Sequence, residues 1–139
     1  TRVVSIKYGT ISSETARPGG LVAIGTTLDP SLTKADAMIG NVVGHYVPDP
    51  VNDLVIEYNL FERVVGTREQ ERVEPIRPRE LLMLTIGTAV TLGVVTKVTR
   101  ETVEVVLRRP VVALPNSKVA ISRQVRGRWR LVGWGIAKI

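Results

Sequence analysis

The sequence predicts an all-β protein whose main unit is a small closed β-barrel, preceded by the last strands of a second barrel. Three observations carry that prediction. β-Branched residues dominate the 139 positions and alternate with polar ones over short runs. Turn signals rich in Gly, Pro, Asn and Asp separate those runs at close intervals, and no segment sustains the 3.6-residue apolar period of a three-turn helix. Strands this short and this evenly spaced are best accommodated by closure, which leaves no exposed edge.

The elements follow in order. "VVSIKY" reads as a strand, and the Pro-Gly-Gly of "ARPGGLVAIG" turns the chain into a short apolar strand at 21–24. After an Asp-Pro break and a polar turn containing Thr33, Lys34 and Asp36, a further strand is expected at 38–43. "VPDPVND", with two prolines and two aspartates, is the best linker candidate. Residues 54–66 read as a long or bent strand, and 67–80 as a charged loop in which Pro75 and Pro78 forbid a regular helix. "LLMLTIG" is nearly all apolar, as for a strand buried on both faces. The clearest hairpin joins 89–98 to 102–110 across Thr99, Arg100 and Glu101, and a final pair, 118–124 and 128–138, meets across Arg126 and Gly127. Residues 1–43 hold about three strands, too few for a barrel of their own. They are expected to close a barrel begun elsewhere in a longer protein, leaving 44–139 as the second unit. A first residue other than Met, on a strand-like run, fits the same expectation.

Composition narrows the function. Hydrophobic content of 44% with 23% charged residues describes an ordered domain, not a disordered tail. No apolar run approaches the roughly 18 residues that span a bilayer, and no secretory signal is present, so a cytoplasmic location is expected. Without cysteine there is no thiolate nucleophile, and a single histidine, His45, cannot build a paired-imidazole metal site. No Gly-x-Ser-x-Gly surrounds a serine. "GLVAIGTT" copies the glycine spacing of a phosphate loop, but Thr26 stands where lysine is needed and the intervening residues are those of a strand. The carboxylate pairs Glu69/Glu71 and Glu101/Glu104 read as solvated faces. Nothing resembles an active site, so the chain itself is not expected to be an enzyme.

Charge is the one uneven feature. Residues 1–104 hold 11 Lys+Arg and all 13 Asp+Glu, whereas 105–139 hold eight cations and no acid. Such a localised basic region is the footprint of a polyanion partner, or else a surface whose counter-charges come from elsewhere in the fold. The tail "ISRQVRGRWRLVGWGIAKI" concentrates Arg123, Arg126, Arg128, Arg130 and Lys138 around two tryptophans. Strand alternation puts Arg128, Arg130 and Val132 on one face and Trp129 and Leu131 on the other. With the indole taken as the core side, the arginines face outward, an arrangement suited to phosphate contact more than to base stacking. Gly133 and Gly135 predict a bulge or close packing.

"ARPGGLVAIGTTLDPSLTKADAMIGNVVG", "LFERVVGT", "VEPIRPRELLMLTIGTAVTLGVV" and "VAISRQVRGRWRLVGWG" together resemble the C-terminal half of the gamma subunit of archaeal and eukaryotic translation initiation factor two, a relative of elongation factor Tu. The resemblance runs the length of the chain. It implies that 1–43 are the closing strands of barrel domain II and 44–139 the whole of barrel domain III. The complete factor, with alpha and beta subunits, uses GTP to carry initiator methionyl-tRNA to the small ribosomal subunit. The third barrel lies near tRNA or ribosomal RNA and packs on the protein's own GTP-binding domain. By the same resemblance the loop Gly9, Thr10, Ile11, Ser12, Ser13 and Glu14 docks the alpha subunit. No Gly-rich loop with lysine, Asp-x-x-Gly switch or Asn-Lys-x-Asp motif occurs here, so GTP and Mg belong to a preceding domain and no cofactor is assigned to this chain. A factor delivering selenocysteinyl-tRNA, and a barrel that binds only proteins, are the competing readings.

Overall fold

The computed structural model describes all 139 residues, in two compact units, Thr1–Met38 and Ile39–Ile139. The first is a three-stranded antiparallel sheet of β1 (Val3–Tyr8), β2 (Ile11–Ser13) and β3 (Ala23–Thr26), in the order β2-β1-β3. Tyr8 pairs with Ile11, so the β1–β2 connection is only Gly9 and Thr10. Gly9 supplies the positive φ (+60°) that such a two-residue turn needs at its first position. The strand expected at 21–24 sits two residues later. No side chain of this unit is buried, and β2 and β3 are open edges.

The expected strand at 38–43 does not form. A short, kinked 3-10 helix occupies Pro30–Asp36, started by the Asp29 side chain, which accepts a 2.8 Å hydrogen bond from the Ser31 N–H. Residues 41–44 then run without regular structure, because apolar, β-branched content makes a strand only where a partner strand is in reach.

The second unit is the predicted barrel. β4 (Val51–Leu60), β5 (Leu81–Ile86), β6 (Ala89–Val98), β7 (Thr102–Val111), β8 (Lys118–Val125) and β9 (Arg128–Lys138) close in the order β4-β7-β6-β5-β8-β9, all antiparallel. The 99–101 and 126–127 turns fall where the sequence places them. Period-2 alternation fills the interior: Leu54 and Ile56, Leu82, Leu84 and Ile86, Val103 and Val105, and Val119 and Ile121 are all buried. Each such side chain contributes about 1.5–3 kcal/mol relative to exposure. β5, expected to be buried on both faces, alternates instead: Leu81, Met83 and Thr85 are half-buried on the outside, because no second layer covers the barrel there.

Closure of β9 on β4 depends on glycine. A Cβ on Gly133 would stand 2.5 Å from the Asn59 carbonyl oxygen, and one on Gly135 2.6 Å from that of Glu57. The two strands approach more closely there than any side chain allows. The expected bulge is present as well: Ile121 pairs with Gly133 but Ser122 with Leu131, leaving Val132 as the extra residue.

Candidate nucleic-acid interface

The bulge decides which way the tail faces, and it overturns the predicted orientation. Val132 is fully buried, so the face it shares with Arg130 and Arg128 is the inward one, continued past the core to the barrel's end. Trp129 and Leu131 lie on the outer wall. The grouping of residues by alternation is correct, but the assignment of the indole to the core is not. Hydrophobicity alone favoured Trp129 as the inside residue, whereas Val132 fits the narrow interior beside Gly133.

The barrel end is roofed by the charged loop after β4. Phe61 N–H donates to the Val132 carbonyl (2.8 Å), Val65 N–H to that of Leu131 (3.3 Å), and Arg63 bridges Arg72, so the loop folds back along β9. Val64 and Ile76 plug the mouth. Into this roof the tail's arginines project, and each meets a different neighbour.

Arg123 is the most enclosed. Its Nε donates to Glu80 Oε1, its Nη2 to Glu80 Oε2 (3.2 Å) and the Pro75 carbonyl (3.3 Å), and its Nη1 to the Glu74 carbonyl (2.7 Å). With the side chains of Arg123 and Glu80 only 15% and 19% exposed, this is a structural tie. Arg126 occupies the first position of the β8–β9 turn at φ +51°, with Gly127 at +78°. A two-residue turn with both angles positive matches strand twist but suits Asn or Gly better than Arg. The Arg126 guanidinium reaches Glu69 (2.7 Å) and Glu71 (2.6 Å), and its hydrogen bond and charge hold the Glu69 carboxyl below its ordinary value of 4.5. Lys138 pairs with Glu57 at 2.8 Å.

Arg128 and Arg130 make no ion pair. With Arg68 they line a cleft of about 510 Å3 between the 66–71 loop and the β8–β9 turn, beside the Arg126 clamp. Gly66, at φ +80°, leaves room for Arg130, whose Nη1 would lie 3.0 Å from any Cβ there. The structure therefore sorts the five tail cations into three neutralised by Glu57, Glu69, Glu71 and Glu80 and two left free. The counter-charges do come from elsewhere in the fold. Sequence alone did not single out Arg68, Gly66 or the clamping glutamates as partners of the tail; the alternating acids of "REQERVEPIRPRE", opposite a tail without any, were the available signal.

The Gly9–Glu14 segment forms the β1–β2 turn and the edge strand β2. Ile11 is exposed, Ser13 Oγ donates to the Thr15 carbonyl (2.7 Å), and Glu14 makes no ion pair. His45 is exposed.

Over residues 52–137 the chain matches the family model described as Initiation factor eIF2 gamma, C terminal. It is 58% identical over a 140-residue alignment to translation initiation factor 2 subunit gamma of Aeropyrum pernix, covering 99% of this chain and 34% of that protein. The proteins of the same name from Archaeoglobus fulgidus and Pyrococcus horikoshii are 54% and 51% identical, with 99% of this chain covered in each case and 33% and 34% of theirs. The chain thus spans about a third of the length of the curated relatives it matches. Together with a closed antiparallel barrel over the matched residues, this shows that the chain belongs to the translation initiation factor 2 gamma subunit family and corresponds to its C-terminal part.

Proposed function

We propose that the chain is the non-catalytic, RNA-contacting and subunit-docking part of such a gamma subunit, with residues 1–43 closing barrel domain II and 44–139 forming barrel domain III. In this reading the complete cytoplasmic factor, with alpha and beta subunits, binds GTP and Mg in a preceding domain and delivers initiator methionyl-tRNA to the small ribosomal subunit. The barrel's part is to meet backbone phosphates of tRNA or ribosomal RNA at the cleft where Arg68, Arg128 and Arg130 stand beside the Arg126 clamp to Glu69 and Glu71. The observation that carries this is selective neutralisation. Three tail cations are held by glutamates, whereas Arg128 and Arg130 make no ion pair in a cleft whose wall also carries the Arg126 clamp to Glu69 and Glu71. Guanidinium groups held side by side on a strand suit phosphate oxygens, and they fix position without reading sequence. The Gly9–Glu14 segment, which turns between β1 and β2 with Ile11 exposed, offers an apolar anchor to the alpha subunit.

The test is RNA binding by the assembled factor across 50–200 mM salt. Arg128→Glu with Arg130→Glu should weaken binding and lower the log–log salt slope by about 0.9 for each phosphate no longer neutralised. Arg123→Met should leave the slope unchanged while destabilising the fold. An unchanged slope in the double variant overturns the assignment, and loss of subunit assembly instead places the cleft in a protein interface.

A further inference from the structure

The orientation of β9 places Trp129 in a second cleft, separate from the free-arginine cleft, on the barrel's outer wall. It measures about 400 Å3 and is lined by Met83, Val90, Leu92 and Trp129, with Arg108 and Arg109 at its rim. These residues come from β5, β6, β7 and β9, so the cleft crosses the closed sheet. Around it the wall is mixed, with Ser122 and Gln124 of β8 paired to Leu131 and Trp129 on this face and several exposed apolar side chains beside them. Leu131 and Trp134 on β9 are 36% and 43% exposed, and Val94 and Val106 remain in contact with solvent. No carboxylate lines the cleft, and neither Arg108 nor Arg109 makes an ion pair.

The large apolar side chains gathered at this cleft, Met83, Val90, Leu92 and Trp129, mark a surface that another molecule covers. Its composition identifies the class. Tryptophan, methionine and arginine are the side chains enriched in protein–protein interfaces, where an apolar centre is ringed by charge. Nucleic-acid surfaces are strongly cationic and polar throughout, whereas here the only cations stand on one rim. The backbone beneath that rim is fixed: Thr91, buried on β6, donates its hydroxyl to the Arg109 carbonyl (3.0 Å) and accepts from the Arg109 N–H (3.2 Å). The Arg109 backbone is thereby held at the strand end, and neither the Arg108 nor the Arg109 guanidinium is paired with an acid of this chain.

We infer that the Trp129 cleft is a docking site for a polypeptide segment that inserts bulky apolar side chains between Met83, Leu92 and Trp129 and sets carboxylates against Arg108 and Arg109. This does not rest on the RNA-contact reading, which concerns the opposite face of β9. The occupant's chemistry follows from the two halves of the site: an apolar anchor without a polar partner, and paired cations without a counter-charge.

The experiment uses the full chain, whose barrel closes on its own core. A random dodecapeptide library is panned on wild-type protein with counter-selection on Arg108→Glu, Arg109→Glu. Recovered peptides should combine Leu, Phe or Trp with Asp and Glu, should shift the Trp129 indole N–H resonance, and should bind the double variant about tenfold or more weakly. Trp129→Ala should abolish the binding while the remaining amide spectrum persists. Recovery of basic peptides, or of none, overturns the inference. So does displacement of the Trp129 resonance by a 12-nucleotide oligouridine, which makes the wall an RNA surface. A concentration-dependent dimer in sedimentation that protects the same indole overturns it in favour of a second copy of this chain.

Discussion

Arg123 and Arg130 stand directly opposite one another in the register of β8 and β9, and only Arg123 is neutralised. Like charges at paired positions repel. The barrel resolves the conflict by turning Arg123 into the loop carbonyls and Glu80, while Arg130 runs over Gly66 toward the open cleft. One arginine of the pair is thereby committed to the fold and the other left without a counter-charge.

That division is measurable. Arg123→Met removes the cation from half-buried Glu80, leaving it only the Arg77 N–H, and frees two loop carbonyls, so it should lower unfolding free energy by about 3 kcal/mol. Arg130→Met removes no partner and should cost less than about 1 kcal/mol. Urea titration of the two variants separates them.

The Arg126 clamp gives the 67–71 loop a pH dependence. Glu69 is held below its ordinary value by the Arg126 hydrogen bond and charge. A lowered carboxyl stabilises the folded loop fully above about pH 4.5 and loses that contribution as pH falls through the lowered value. Amide exchange across 67–71, measured from pH 6 down to pH 3 and corrected for intrinsic rates, should therefore accelerate only in the acid range. Arg126→Asn, which also suits the left-handed turn position, should show the accelerated exchange at pH 6 and no further acid dependence from this source.

Gly135→Ala forces a methyl group to within 2.6 Å of the Glu57 carbonyl oxygen and against Ile56. Backbone cannot retreat as a flexible side chain can, and the cost should reach about 3 kcal/mol, at the upper end of overpacking. Gly87→Ala, at φ +59° but with nothing within 4 Å, isolates the backbone term and should cost about 1 kcal/mol. Thermal unfolding midpoints distinguish steric closure from turn strain.

Thr91→Val keeps shape but removes the hydroxyl that serves both backbone groups of Arg109. Leaving these without their side-chain partner should cost about 1–3 kcal/mol. Faster exchange of the Arg109 amide, seen by NMR, is the local readout.

Much of the barrel was legible because its strands alternate cleanly between turns with strong chemistry. The β6–β7 and β8–β9 hairpins follow from Val/Thr/Leu runs flanking polar turns, and the Gly133/Gly135 bulge from glycine spacing. What failed were choices that depend on neighbours. The 38–43 run has strand composition without a partner strand, and "LLMLTIG" is apolar on both faces although only one meets the core. At Trp129 the alternation was visible but its sign was not, because the larger apolar residue lies outside and Val132 inside. The cleft's glutamates were legible only as charges; their pairing with Arg123 and Arg126 needed the 67–80 loop to fold back, which no local period records.

The seam between β4 and β9 joins the barrel's first strand to its last, with Val55 beside Lys138. A ring fastened at that junction cannot be completed until nearly its whole length has been ordered, so folding carries a late, long-range step and proceeds as a single cooperative event. It also means that losing the final strand would strip hydrogen-bonding partners from β4 and β8 together, turning a cylinder into an open sheet with two reactive margins.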